Sequence, residues 1–123
     1  MEHLTRNIYL MHEMSVALSI IDIATEQAAK ENALKILELD LDIGTLAGIE
    51  FESLEFALEI SVKNTMLENS KINLNKIEAK ASCIDCLHEF EALNLFNNCP
   101  LCKSYNTKLI QGKELQVKSL IID

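Results

Sequence analysis

The chain has 123 residues, of which 49% are apolar, and it contains only one proline and three glycines. These numbers predict one folded domain, or one small domain with an attached module, and they argue against a disordered chain. The formal net charge of −8 repels phosphate backbones and so disfavours a nucleic-acid-binding protein.

The sequence carries no recognisable signal for a membrane or for secretion. No apolar run reaches the roughly 20 residues that a membrane span needs, and residues 1–10 lack the apolar region of a secretory signal. We therefore expect a cytoplasmic protein. In a reducing compartment the four cysteines are expected to bind metal or to act in redox chemistry, rather than to form structural disulfides.

The first half of the chain predicts a helix, a strand and a second helix. Residues 1–10 fit no clear element, whereas residues 14–31 carry apolar side chains at helical spacing. Residues 36–43 alternate between apolar and acidic side chains, which predicts a strand with one face in solvent. Gly44 ends this strand, and a wide apolar arc predicts a second helix over residues 51–67.

The second half predicts further strands. Residues 71–82 alternate again, but their apolar phase changes, which a β-bulge near Asn75 would explain. Residues 114–122 predict a final strand that closes a small sheet. We therefore predict an α+β fold in which two amphipathic helices cover a small mixed β-sheet.

Two cysteine pairs give the strongest signal in the sequence. They occur in CIDC and CPLC, and 12 residues separate them. A two-residue spacer turns both thiolates toward one ion, so two such turns place four sulfurs in a tetrahedron around zinc. Between the pairs we expect a hairpin in which Phe90 and Leu93 cover the metal. The predicted zinc ligands are Cys83, Cys86, Cys99 and Cys102.

The cysteines also set the predicted domain organisation. Residues 83–112 leave and return through neighbouring strands, so they are expected to form an inserted zinc-ribbon domain. Residues 11–82 and 113–123 would form the α+β domain, preceded by residues 1–10 as an N-terminal extension. Because a closed four-thiolate site leaves zinc no open coordination position, its role is expected to be structural.

Other interpretations of the cysteines stay open at this point. One C-x-x-C pair could be a redox site, although two pairs without a strand-to-helix context favour a metal. A rubredoxin-type iron site would use the same ligands. His88 would be a solvated hairpin histidine, or it would replace a thiolate when pH or metal loading changes.

The alternative function is a zinc-ribbon module that binds a protein or a nucleic acid. Four lysines follow the second cysteine pair, but the acidic residues around them argue against nucleic acid. No nucleotide-binding glycine loop, catalytic triad or paired catalytic carboxylate is evident, so we do not expect an enzyme.

The order of motifs along the chain resembles the HypA/HybF family of nickel metallochaperones for hydrogenase maturation. The resemblance rests on MHEMSVALSIIDIATEQAAKENA, on a strand ending in LDIGTLAGIE, and on CIDC and CPLC. It implies Ni(II) at His12 and zinc on the four cysteines. It also implies a partner GTPase of the HypB type and delivery of nickel to the large subunit of a [NiFe]-hydrogenase, and in some bacteria to urease maturation proteins.

Three further residues are expected to contribute to the nickel site. Ni(II) with nitrogen and oxygen ligands readily takes a square-planar geometry. Met11 would offer its nitrogen, and Glu13 would add an oxygen or orient the His12 ring. Glu50 follows a flexible loop and could swing toward the motif, or it could instead be a helix-start carboxylate that interacts with the helix dipole.

The chain departs from the family pattern in the ten residues before Met11. In the family the Met-His-Glu run starts the protein, so that a free amine can join the histidine nitrogens at the metal. We expect Met11 to be the true start and residues 1–10 a misassigned leader. If the extension is real, the nitrogen of Met11 is an amide, and His3 with the terminal amine could hold Cu(II) or Ni(II), although chance also explains a histidine there.

Overall fold

The computed structural model describes the backbone of residues 2–123 and the side chains of residues 12–123. Its helices and strands combine in an α+β fold, as predicted, with two helices and two small sheets in the described chain. No helix in this part of the chain is long and apolar enough to cross a membrane. The elements are α1 (Glu2–Lys30), β1 (Ile36–Gly44), α2 (Phe51–Ser61), β2 (Lys71–Ile77), β3 (Lys80–Cys83), β4 (Glu89–Glu91), β5 (Thr107–Gln111) and β6 (Leu115–Ile122).

Helix α1 begins 12 residues earlier than the apolar pattern predicts, at Glu2 rather than at residue 14. The opening stretch contains no glycine or proline, so nothing in it interrupts a helix. The helix ends in a Schellman motif, in which the N–H of Ala33 donates to the carbonyl of Ala28 (3.1 Å) and Asn32 has φ 58°. Its described buried apolar side chains are Ala17, Ile20, Ile21, Ala24 and Ala28.

Strand β1 is the central strand of a sheet with the order β2-β1-β6. Leu39, Leu41 and Ile43 are buried on one face, as the alternation predicts, while Leu37 at the strand start is 50% exposed. On the other face, the side-chain amide of Asn73 donates to the carboxylates of Glu38 (2.8 Å) and Asp40 (2.5 Å). The acidic face of the strand is therefore held by an amide from its neighbour.

Helix α2 is shorter than predicted and ends at Ser61 rather than at residue 67. Its buried side chains are Leu54, Ala57 and Leu58. Beyond it the chain turns through Asn64, with φ 64°, and the Thr65 hydroxyl donates to the Val62 carbonyl at 2.7 Å. Leu67 is buried although it lies outside the helix. Its burial explains why the apolar pattern of the sequence continues beyond the end of α2.

The prediction of one strand over residues 71–82 with a bulge near Asn75 is wrong. The chain breaks at Glu78 and Ala79, and it forms β2 in the first sheet and β3 in a second sheet. The change of apolar phase therefore marks a change of sheet. A register irregularity does exist, but it lies between Lys80 and Ala81 in the pairing of β3 with β5.

The second sheet has the order β4-β3-β5, with β3 antiparallel to both neighbours. Ala79, Ala81 and Ala92 form its small buried cluster, against which Leu46, Phe90 and Leu109 pack. Leu93 is 83% exposed, so the expectation that it covers the cysteine site is wrong.

The chain divides into two compact units. The first contains the chain up to Leu41, Ile49–Leu74 and Gln116–Asp123, and it holds both helices. The second contains Asp42–Gly48 and Asn75–Leu115, and it holds all four cysteines.

Replacing Gly112 by alanine is expected to destabilise the second unit strongly. A Cβ there would lie 2.5 Å from the Cβ and 2.6 Å from the Cα of Ala79, and φ is +122°. The steric overlap and the backbone strain together should lower the free energy of unfolding by about 3–5 kcal/mol, measured by urea denaturation.

Gly48→Ala is the matched control for this prediction. Gly48 also has a positive φ, +79°, but an added Cβ would meet nothing within 4 Å. Only the backbone strain of about 1–2 kcal/mol should remain. Equal losses in the two variants would show that the close approach of Gly112 to Ala79 does not limit stability.

Candidate metal centre

The first cysteine pair lies in a tight turn that follows β3. The N–H of Cys83 donates to the carbonyl of His88 (2.8 Å), and the N–H of Leu87 donates to the carbonyl of Cys83 (2.9 Å). The N–H of Cys86 points at the sulfur of Cys83 at 3.5 Å. Leu87 has φ 67°, which closes the turn and leaves both sulfurs on one side.

The second pair repeats this turn with the same bonds. The N–H of Cys99 donates to the carbonyl of Ser104 (2.8 Å), and the N–H of Lys103 donates to the carbonyl of Cys99 (2.8 Å). The N–H of Cys102 points at the sulfur of Cys99 at 3.5 Å, and Lys103 has φ 65°. The C-x-x-C spacing thus produces the same backbone path twice.

The two turns bring the four sulfur atoms together. All four lie within 4.8 Å of one another; the Sγ atoms of Cys83 and Cys102 are 3.5 Å apart, and those of Cys86 and Cys99 are 3.7 Å apart. A tetrahedron with zinc–sulfur bonds of about 2.3 Å has edges of about 3.8 Å. The cysteines are free rather than paired in disulfides, and their geometry fits a zinc ion.

The thiols influence each other's ionisation. Burial raises the pKa of Cys99, but backbone N–H groups of Cys102 and Leu101 and nearby thiols lower it to about 7. At Cys86 the backbone N–H of His88 lowers the pKa, yet burial and the neighbouring cysteines raise it to about 12. Without a cation the cluster therefore retains protons, which a bound metal would displace.

His88 lies beside this cluster without joining it. Its ring is half-buried and stacks on Phe90, with ring centroids 6.1 Å apart and planes inclined by 18°. The described metal-ligating group consists of the four cysteines and does not include this histidine.

The Met-His-Glu motif lies inside helix α1. His12 is exposed, with 54% of its side chain accessible, whereas Glu13 is fully buried. His12 Nε2 and Glu13 Oε1 are 3.9 Å apart. The side chain of Met11 and that of His3 lie outside the described residues.

Glu13 is an unusual residue in this fold. It is the one buried charged residue among the described side chains, and neither of its carboxylate oxygens has a hydrogen-bond partner. Burial raises its pKa above the ordinary value; His12 acts in the opposite direction, and the negative charge of Glu50 raises it further. A buried carboxylate without donors is costly unless it gains a proton or a cation.

Glu50 is the N-cap of α2. Its carboxylate accepts hydrogen bonds from the N–H groups of Glu52 (3.3 Å) and Ser53 (2.7 Å) and from the Ser53 hydroxyl (2.5 Å). These bonds, the Ser53 hydroxyl first, hold the pKa of Glu50 below its ordinary value despite some burial. In the described structure Glu50 therefore occupies the helix-start position that was one of its two interpretations from the sequence.

Comparisons with known proteins give a consistent result. The family model described as "Hydrogenase/urease nickel incorporation, metallochaperone, hypA" matches residues 11–122. The hydrogenase maturation factor HypA of Parabacteroides distasonis is 45% identical over 112 residues, which is 91% of this chain and 97% of that protein. The HypA of Francisella philomiragia is 37% identical over 113 residues, covering 92% and 100% of the two chains.

Solved structures with the same fold lead to the same family. The solution structure of the Ni metallochaperone HypA from Helicobacter pylori has a TM-score of 0.65 and 27% identity, and covers 89% of this chain and 96% of that one. Another solution structure of a HypA protein has a TM-score of 0.69 and 28% identity, with coverage of 92% and 97%. The chain belongs to the HypA family of nickel metallochaperones for hydrogenase maturation.

Proposed function

We propose that this protein binds Ni(II) at His12 and Glu13 and delivers it to the large subunit of a [NiFe]-hydrogenase. A GTPase of the HypB type would assist the transfer, since the sequence has no nucleotide-binding glycine loop of its own. Urease maturation proteins are a second possible recipient. Zinc on the four cysteines would hold the second unit in its fold.

The buried, unpartnered carboxylate of Glu13 beside an exposed imidazole is the observation that carries the nickel proposal. In the described structure nothing compensates the charge of Glu13 except His12 at 3.9 Å. A divalent cation held between the two side chains would supply that compensation, and imidazole and carboxylate both suit nickel. The imidazole is open to solvent, so nickel could enter and leave there.

The helical backbone limits which atoms are available to the metal. Inside a helix each N–H donates to a carbonyl four residues earlier, and the motif is enclosed by α1 on both sides. Coordination by the backbone nitrogens of His12 or Glu13 therefore requires this turn to unwind. A chain that starts at Met11 would have a free amine there, which is a better nickel donor than an amide.

Glu50 would join the nickel site only by leaving its cap. Its two oxygens are used by Ser53 and Glu52, while its charge is close enough to raise the pKa of Glu13. A cation near Glu13 would reverse the sign of that interaction and attract Glu50. We therefore propose that Glu50 acts on the nickel site through its charge. It would bind the metal directly only if its carboxylate left the helix cap.

Nickel titration of the zinc-loaded protein tests the proposal. We expect about one Ni(II) per chain by equilibrium dialysis with metal analysis, with zinc retained. The nickel-loaded protein should then transfer its metal to a nickel-free hydrogenase large subunit, measured as nickel that elutes with the subunit. Nickel that binds only by displacing zinc from the cysteines would contradict the assignment to His12 and Glu13.

Glu13→Gln should weaken nickel binding and stabilise the nickel-free protein at neutral pH. The amide keeps the size of the side chain but removes a buried charge that has no hydrogen-bond donor in the part of the chain whose side chains are described. We expect a gain of about 1 kcal/mol in the free energy of unfolding from urea denaturation. The variant Glu52→Gln, on the exposed first turn of α2, removes one charge as a control and should show neither effect.

A further inference from the structure

The two cysteine turns have the same backbone path, but the residues between their cysteines differ. Asp85 stands between the cysteines of the first turn, where the second turn has Leu101. Leu101 is 69% exposed and its side chain takes no part in the turn. The side chain of Asp85 instead contacts Ser104 and Asn106, which follow the second cysteine pair.

Three hydrogen bonds connect the turns through this segment. The carboxylate of Asp85 accepts from the Ser104 hydroxyl (2.5 Å) and from the side-chain amide of Asn106 (3.2 Å). The backbone N–H of Ile84 donates to the carbonyl of Asn106 at 2.9 Å. The Ser104 oxygen in turn accepts from the backbone N–H of Asn106 at 3.0 Å, which holds the Ser104 hydroxyl in place.

None of these bonds uses a cysteine sulfur. They connect Ile84 and Asp85, which lie between the cysteines of the first pair, to Ser104 and Asn106, two and four positions after Cys102. They therefore join the two halves of the sulfur cluster without metal. We propose that Asp85 is a positioning residue whose contacts with Ser104 and Asn106 hold the two cysteine turns together and thereby slow the release of zinc. This inference rests on the proposed assignment of zinc to the four cysteines.

The charge of Asp85 alone would have the opposite effect. Zinc replaces the protons of four thiols and leaves a site with net negative charge, which a nearby carboxylate repels. If Asp85 acted through charge, its removal would strengthen zinc binding and slow release. If it acts through its hydrogen bonds, its removal lets the turns separate once one sulfur leaves the metal, and release becomes faster.

The release rate of zinc from the full-length protein distinguishes these effects. We would mix the zinc-loaded chain with an excess of a chromogenic chelator and record the formation of its zinc complex. Asp85→Ala should release zinc roughly tenfold faster than the wild type, as is typical when a residue that orients metal ligands is lost. Ser104→Ala should show a smaller acceleration, and in that background Asp85→Ala should add less than it does alone.

Glu89→Ala provides the charge control, since Glu89 is an exposed carboxylate in the second unit as well. It should leave zinc release unchanged or slow it slightly. A second readout is amide hydrogen exchange at Ile84 in the zinc-loaded protein, where Asp85→Ala should speed exchange relative to Glu89→Ala.

The outcomes are separable. Release from Asp85→Ala at the wild-type rate, or more slowly, would overturn the positioning role and leave the zinc assignment intact. A wild-type protein that purifies without stoichiometric zinc, and fails to take it up, would overturn the zinc assignment itself. Additive effects of Asp85→Ala and Ser104→Ala would show that the two side chains act independently, which also contradicts the proposal.

Discussion

His12→Ala is expected to remove tight nickel binding while zinc remains bound. In the proposed site the imidazole is the exposed nitrogen ligand, and Glu13 cannot hold Ni(II) alone in a nitrogen-rich geometry. Loss of a residue that only orients a ligand can weaken metal binding by roughly 100-fold. Loss of a direct ligand should weaken nickel binding by at least as much. Isothermal titration with nickel, at fixed zinc content, measures the change.

His88→Ala is the control for this variant. His88 is half-buried against Phe90 in the second unit. The His88→Ala variant should therefore bind nickel with the affinity of the wild type. An unchanged nickel affinity in His12→Ala would refute the assignment of the motif. A loss in both variants would indicate a general effect of histidine removal rather than a site at His12.

Cys99→Ser is expected to release zinc and to unfold the second unit. Cys99 is buried, and structural zinc contributes an apparent binding free energy of about 10–16 kcal/mol in small zinc-dependent folds. The second unit has little else to stabilise it, because its described apolar cluster is built around three alanines, Ala79, Ala81 and Ala92. Removing one thiolate should therefore cost most of its stability.

Circular dichroism and hydrogen exchange can follow the two units separately. Both helices of the described chain are in the first unit, so the helical signal should persist in Cys99→Ser. Amide protection in β3 and β5 should be lost. Wild-type protein stripped of zinc by a chelator should behave in the same way, and retained protection in either sample would show that the second unit folds without zinc.

Periodicity and spacing were sufficient to predict much of the architecture. The alternation in β1 identified the buried side chains Leu39, Leu41 and Ile43, and the C-x-x-C spacing identified the sulfur cluster, because both patterns are local consequences of backbone geometry. The ends of elements were less predictable. Helix α1 extended through a stretch without apolar periodicity, and Leu67 is buried outside any helix.

Long-range partners could not be predicted from the sequence. The burial of Glu13 and the absence of a donor for it among the described residues depend on how α1 packs, and they give this residue more weight than the motif alone suggested. The sequence did not indicate a role for Asp85, because no local pattern relates an aspartate between two cysteines to Ser104 and Asn106. The sequence offered two interpretations of Glu50, a nickel ligand and a helix-start carboxylate, and only coordinates could show that it caps α2 in the described structure.

The repeated cysteine turns also have a consequence for chain entropy. Each turn closes within six residues, from Cys83 to His88 and from Cys99 to Ser104, so each can form locally and at small entropic cost. A metal that joins them acts as a cross-link across the 12 residues between Cys86 and Cys99. By analogy with a disulfide, closing a loop of about 15 residues constrains the unfolded chain by about 3 kcal/mol. Shortening or lengthening the loop over residues 93–98 should therefore change the stability of the second unit only slightly, since closure entropy varies with the logarithm of loop length.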